Sequence, residues 1–240
     1  MAIDIKQHLI LTAMDLFAEQ GVAAVSMREV NRAAGAKNNS AAHYHFGDKA
    51  GLVDAVIAFI QDWFVEARLK PLGKLEAAAA AGPITVRDVL DVWARPYVRL
   101  MTTEPWGYAA VRMLAHIQFE LDSLTREAHN RLSQEAINRF TKLVLKSVPE
   151  LPKELMLHRF NYCVISIVQN LANSRLRAAG YYESYEADLE ALLEMYLDFA
   201  AAGMAAPSNI KPNSRTYKRL ARIESFLYRP RATKPLATQA

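Results

Sequence analysis

Apolar residues recur along this 240-residue chain at spacings of three and four, and no sustained period-two alternation of β-branched residues interrupts them. Neither Asn-Gly nor Asp-Gly occurs, so the usual two-residue hairpin signal is missing as well. The pattern predicts an all-α fold. A first helix begins at Asp4, where Asp4 and Gln7 are placed to cap each other's backbone donors, sets Leu9, Ala13, Leu16 and Phe17 on one face, and stops at Gly21. A second opens on a capping box of Ser26 and Glu29, flanked by a Val25/Val30 hydrophobic staple, and ends at Gly35. A short third runs from about Asn38 to Phe46. A fourth starts at Asp48, buries Leu52, Val56, Phe59, Ile60 and Trp63, and is expected to stop before Pro71. Beyond an alanine-rich connection at Ala77 to Ala81, longer helices are expected at about 85–101, 106–120, 123–147, 153–179 and 185–203, with Pro96 kinking or breaking the first of them.

Composition bounds what such a chain can be. At 52% hydrophobic and 22% charged it can bury a real core, which excludes wholesale disorder. One cysteine, Cys163, cannot form an internal disulfide; beside Val164, Ile165 and Ile167 it reads as a buried, inert thiol. The start of the chain carries no secretion signal, and apolar runs such as Val164 to Val168 fall far short of the ~20 residues that cross a bilayer. A cytoplasmic protein without membrane contact is the expectation. Net charge is +4, but from Pro207 onward eight basic residues face one acidic residue, a local +7 that leaves −3 for residues 1–206. The basic balance therefore belongs to a tail, and binding to nucleic acid has to be argued from local motifs.

Ser26 to Phe46 holds two short helices joined through Gly35, the spacing of a helix-turn-helix. The second of them opens with Lys37, Asn38, Asn39 and Ser40, side chains able to meet base edges in a major groove; the competing reading is an ordinary polar helix start. His43, Tyr44 and His45 at its far end, with Lys49 beyond, suit phosphate contacts that fix register. His43 and His45 stand two apart and point to different faces, which argues against a shared metal. Nothing else in the sequence calls for a metal or a cofactor.

The run SMREVNRAAGAKNNSAAHYHFGDKAGLVDAV resembles the DNA-binding head of the TetR family of transcriptional regulators, above all in Gly35, the Tyr44-His45-Phe46 end, Lys49 and Leu52. Its turn-to-Phe46 segment is one residue longer than the commonest family form, and His43 stands where Tyr is frequent. The resemblance covers about the first 60 residues. It implies that Ser26 anchors phosphate at the start of the second helix, that Lys37 to Ser40 read bases, and that Tyr44 and Lys49 clamp the backbone. It further implies a helical body that binds an effector and dimerises through its last two helices, so that the chain divides into a head at 1–50, a ligand-binding and dimerisation domain at 51–206, and a basic tail at 207–240.

Body residues are read from their own chemistry. Trp93, Tyr97, Met101, Trp106, Met113 and His116, with Phe119, form an aromatic and methionine-rich set that reads either as plain core or as a pocket for an apolar ligand whose polar group His116 orients. Two helices near the end are apolar on two faces each, one face for the core and one for a partner; Val164, Val168, Leu189, Leu193 and Tyr196 are the expected contacts of a two-fold four-helix interface. The tail reads as a solubilising end or as an arm for DNA. No nucleotide-binding glycine motif, nucleophile elbow, P-loop, His-Glu-x-x-His or cysteine cluster is present, so an enzyme would need scattered residues. The sequence thus predicts a non-enzymatic DNA-binding regulator, a homodimeric repressor released from a palindromic operator by a small apolar or aromatic ligand. A constitutive DNA-binding protein or an interaction scaffold with the same head is the alternative.

Overall fold

A computed structural model describes residues 4–36, 38, 40–118, 123–174 and 188–222, with the backbone alone for residues 123–133. Lys37, Asn39 and Phe119 and the C-terminal end of the expected 153–179 helix lie outside the described residues. All regular structure among the described residues is helical: α1 Ile5–Gln20, α2 Met27–Ala33, α3 Ala41–Phe46, α4 Lys49–Ala81, α5 Val86–Thr103, α6 Gly107–Ile117, α7 Ser123–Ser147, α8 Lys153–Ala172, α9 Leu189–Ala205 and α10 Arg215–Leu220.

Local capping explains the head. Asp4 caps α1 by accepting from the Lys6 amide at 3.1 Å, one residue short of the expected Gln7 partnership. At α2 the Ser26 hydroxyl accepts from the Glu29 amide at 3.2 Å, while the Glu29 carboxylate accepts from Gln20 Nε2 at 3.3 Å and so ties α2 to the end of α1. Val25 and Val30 are both buried, as a staple requires. Leu9, Ala13, Met14 and Phe17 fill the space beneath α2, α3 and the start of α4. The turn is closed by Asn31, fully buried, whose Oδ1 accepts from the Ala42 amide at 2.8 Å and whose carbonyl accepts from the Ala36 amide at 3.0 Å. Gly35 takes φ +62° there, the left-handed conformation that only glycine adopts without strain.

Two prolines do not end their helices. α4 continues through Pro71 and takes in Ala77–Ala81, which is therefore helix and not a connection. The proline costs about 3 kcal/mol in a helix interior. Burial of Leu72, Leu75 and Ala79 works against that cost, as do two ties to α7: a bidentate Glu76–Arg139 pair with both contacts at 2.8 Å, and Lys146 Nζ donating to the Ala79 carbonyl. α5 likewise runs unbroken past Pro96, which is itself buried. A full capping box of Thr85 and Asp88 sets its start.

α5 is the hub of the body, packed against α4, α6, α7, α8 and α9. On its outer side Arg87 meets Glu194 and Asp198, and Arg95 meets Asp91, Glu190 and Glu194, so α9 is held along one edge by ion pairs. α1 packs on α6 as well as on α4, giving the head two points of attachment to the body. The chain past Ala206 returns to α8. Arg159 donates to the carbonyls of Met204, Ala206 and Pro207, Tyr217 donates to Glu154 at 2.5 Å, and the His158 ring meets the Leu220 carbonyl at 3.0 Å. Among the described residues no helix is long and apolar enough to cross a membrane.

Asn31→Ala leaves the Ala42 amide buried without its acceptor. It is expected to lower unfolding free energy by about 1–3 kcal/mol, read as a shift of the urea midpoint. An unchanged midpoint would remove Asn31 as the clamp of the turn.

Candidate nucleic-acid interface

Ser40, His43 and Tyr44 fall at spacings of three and one, lie on one face of α3, and are all exposed, Tyr44 to 85%. Ala42 faces the other way and is fully buried against the head. The exposed face is polar and aromatic, with the small Ser40 at the N-terminal end and the rings at the other. Asn38 Oδ1 accepts from the Ser40 amide at 2.9 Å and so shapes the approach to α3. His43 is held through Nδ1 to the Gly47 carbonyl at 2.9 Å, and Tyr44 stands edge-on to the half-buried His45 at 5.1 Å between ring centroids. Ser26, exposed at the start of α2, keeps its hydroxyl on the Glu29 amide. Lys49 donates to the Ala23 carbonyl at 2.9 Å across the exposed surface, latching the first turn of α4 onto the loop ahead of α2. The structure therefore gathers Ser26, Asn38, Ser40, His43, Tyr44, His45 and Lys49 on the three elements that end, form and follow the turn.

A residue the sequence reading passed over fixes where this face sits. A Cβ on Gly51 would lie 2.0 Å from the Phe46 carbonyl oxygen, so α4 can start this close to the end of α3 only with glycine there. The sequence signal was a glycine in the first turn of an otherwise good helix. Asp48 completes the junction by accepting from the Gly51 amide at 2.8 Å.

In the body, Trp93 and Tyr97 are buried side by side on α5 and both face Arg68 of α4. Trp106 instead rests on Phe59 at 4.9 Å, Met101 is partly buried, Met113 is fully buried in α6, and His116 is half-buried near the end of α6. Arg68 was also missed by sequence reading. The signal was its register: Ile57, Gln61, Phe64 and Arg68 follow at i, i+4, i+7 and i+11, which places an arginine on the buried stripe. Among the described residues no group of three or more His, Cys, Asp or Glu side chains is placed to hold a metal.

The structure places the expected partner contacts on α8 and α9 mostly within the single chain. Val164, Val168 and Leu193 are buried in the chain's own core, Leu189 is partly buried against it, and Tyr196 donates to the Cys163 carbonyl and meets Ser166 Oγ at 2.9 Å. Burial also pushes the Cys163 thiol up to about 11. A helix apolar on two faces does not announce which face the core takes. Here the core takes the Val164/Val168/Leu193 side and leaves Tyr162, Met195 and Phe199 at 65%, 65% and 77% exposure.

Residues 9–56 match the family described as bacterial regulatory proteins, tetR family, and residues 91–203 match the tetracyclin repressor-like C-terminal domain. The chain belongs to the TetR family of transcriptional regulators. The DNA-binding head and the larger helical body are the two parts of that family's architecture. Among solved structures, the fatty acid degradation regulator FadR from Bacillus halodurans is similar at 15% identity and a TM-score of 0.54, covering 82% of this chain and 94% of its own. NalD, the secondary repressor of the MexAB-OprM multidrug efflux pump in Pseudomonas aeruginosa, is similar at 20% identity and a TM-score of 0.49, covering 83% and 94%. At these identities the first likeness shows the fold. No curated protein matches the chain.

Gly51→Ala is expected to cost about 1–3 kcal/mol by forcing α3 and α4 apart and to reduce DNA binding at temperatures where the head remains folded. Circular dichroism with a gel-shift titration measures both, and an unaffected alanine variant would show that the junction yields. Asn39→Ala is expected to flatten base preference by about 1–3 kcal/mol per lost contact, whereas Lys49→Ala should weaken all duplexes alike. If neither changes affinity, the base-reading assignment fails.

Proposed function

We propose that this TetR-family regulator is a homodimeric repressor that occupies a two-fold operator and is released from it by a small apolar or aromatic molecule bound in the helical body. It acts by binding and carries out no catalytic step; its place is the cytoplasm, where bacterial DNA is. The observation that carries the switching part is the double attachment of the head. α4 belongs to both head and body, and α1 packs on α6, so repacking around α5 and α6 is felt at two points by the helices that place α3. A ligand that favours one such packing shifts the head between DNA-competent and incompetent placements.

Pairing of two copies is supported by the apolar surface left on α8 and α9. Met195 and Phe199 are one turn apart on the outer side of α9, and Tyr162 is exposed on α8. Two recognition helices related by a two-fold axis would enter successive major grooves about one DNA turn, ~34 Å, apart. Ser40, Asn38 and Lys37 with Asn39 would then approach base edges, while His43, Tyr44, His45, Lys49 and Ser26 meet phosphates.

Selection of bound duplexes from a random pool tests the reading directly. The expected product is a palindrome with half-sites about one turn apart; recovery of unrelated sequences, or of none, overturns it. For the dimer, Met195→Arg with Phe199→Arg should yield a monomer by sedimentation at little cost in melting temperature, because both side chains are already exposed. Leu193→Arg should destabilise the single chain by several kcal/mol, since it buries an unpaired charge. A double variant that remains dimeric would remove this surface.

A further inference from the structure

Arg68 is 6% exposed, and among the described residues no Asp or Glu pairs with it. The contrast with Arg87, Arg95 and Arg139 is sharp, because each of those meets one or more carboxylates at the surface. The Arg68 guanidinium is boxed by aromatic rings instead, with its carbon 4.4 Å from the centroid of Phe64, 4.6 Å from Trp93, 5.3 Å from Tyr97 and 6.0 Å from Phe140. Its Nη2 donates to the Trp93 carbonyl at 3.1 Å. Ring faces attract a cation but do not replace a counter-ion, and a buried charge without one is strongly disfavoured. Burial accordingly drags the guanidinium below its ordinary pKa despite the pull of Tyr97.

Two N–H donors in this box are buried without an acceptor: Arg68 Nε and Trp93 Nε1. Trp93 also packs edge-on against Phe140 at 4.9 Å and Phe160 at 5.9 Å, so its indole lies among aromatic rings as the Arg68 guanidinium does. An acceptor with two oxygens and one negative charge satisfies both donors and neutralises the cation at once. A phosphate dianion would leave one charge over, since no second described cation stacks on these rings.

We propose that Arg68 is the counter-ion of the effector, and that the effector class is a small amphipathic monocarboxylic acid whose carboxylate meets Arg68 and Trp93 Nε1 and whose apolar body packs among the surrounding rings. The inference rests on the ligand-release reading above and narrows its ligand from apolar molecules in general to acids. It also puts the polar recognition of that ligand on α4 and α5, not on His116. α4 is the helix that reaches the head, so an anion held at Arg68 engages that helix directly.

Calorimetric titration of the full chain tests the site, with decanoate and 3-phenylpropionate each compared with its own primary amide. The two arms separate an alkyl from an aryl acid. One acid is expected to bind about 30-fold or more tightly than its amide. Arg68→Met is expected to abolish that preference while melting at or above the parent temperature, since it removes an uncompensated buried cation; Arg68→Lys should keep part of it. Should the methionine variant fail to fold, Trp93→Phe, which removes the second donor alone, is expected to weaken the acid and not the amide. Acid and amide binding alike, neither acid binding, or an acid preference that survives in Arg68→Met would each overturn the proposal. An acid that binds through Arg68 and leaves affinity for the selected operator unchanged would uphold the anion site and overturn the release reading. A neutral ligand that releases operator from the parent and Arg68→Met alike would do the reverse.

Discussion

The position of the recognition face on this molecule depends on one close approach, that of Gly51 to the carbonyl of Phe46. Because residue 51 has no side chain, the last turn of α3 can lie directly on the first turn of α4, and Asp48 and Lys49 can then reach the Gly51 amide and the Ala23 carbonyl. Those contacts make the head a rigid extension of a 33-residue helix. Without them the helix-turn-helix would still be closed by Asn31 and α1 would still rest on α6, but α3 would no longer be fixed directly to the start of α4.

Charge is distributed in this chain by two different rules. At the surface, arginines on α5 and α7 pair with carboxylates on α9 and α4, in contacts that water screens and that each add little to stability. In the interior a single arginine is surrounded by rings and lacks an anionic partner among the described residues. Surface pairs of the first kind align helices. A buried cation of the second kind makes the packing around it sensitive to whatever supplies the missing charge, and it lies on the helix that also carries α3.

Much of the fold could be read from the chain because its signals are local. Caps at Asp4, Ser26 and Asp48, the glycine turn at Gly35 and the breaks after Thr103 and Ser147 all act within a few residues, so the helix order and the helix-turn-helix followed. Pro71 was misread because the contacts that carry α4 past it come from α7, 63 to 67 residues further on. The same distinction runs through the candidate site. Exposed polar residues on α3 could be picked out by type and spacing, but Asn31, Gly51 and Arg68 owe their roles to a neighbour in space: an amide on α3, a carbonyl at the end of α3, and a set of rings on three helices. On α8 and α9, sequence periodicity identified two apolar faces, and only packing decided that Leu193 turns inward and Phe199 outward.

Because α1 packs on α6 as well as on α4, the boundary between head and body is a surface and not a point on the chain. The two halves are therefore less interchangeable than the division of the sequence suggests. A chimera that joins a relative's first 50 residues to this body would splice cleanly in α4, yet would bring an α1 face shaped for another α6. The α1 and α6 residues that meet have to be exchanged together, and the specificity of such a hybrid would be inherited from the graft while its response would be inherited from the fit.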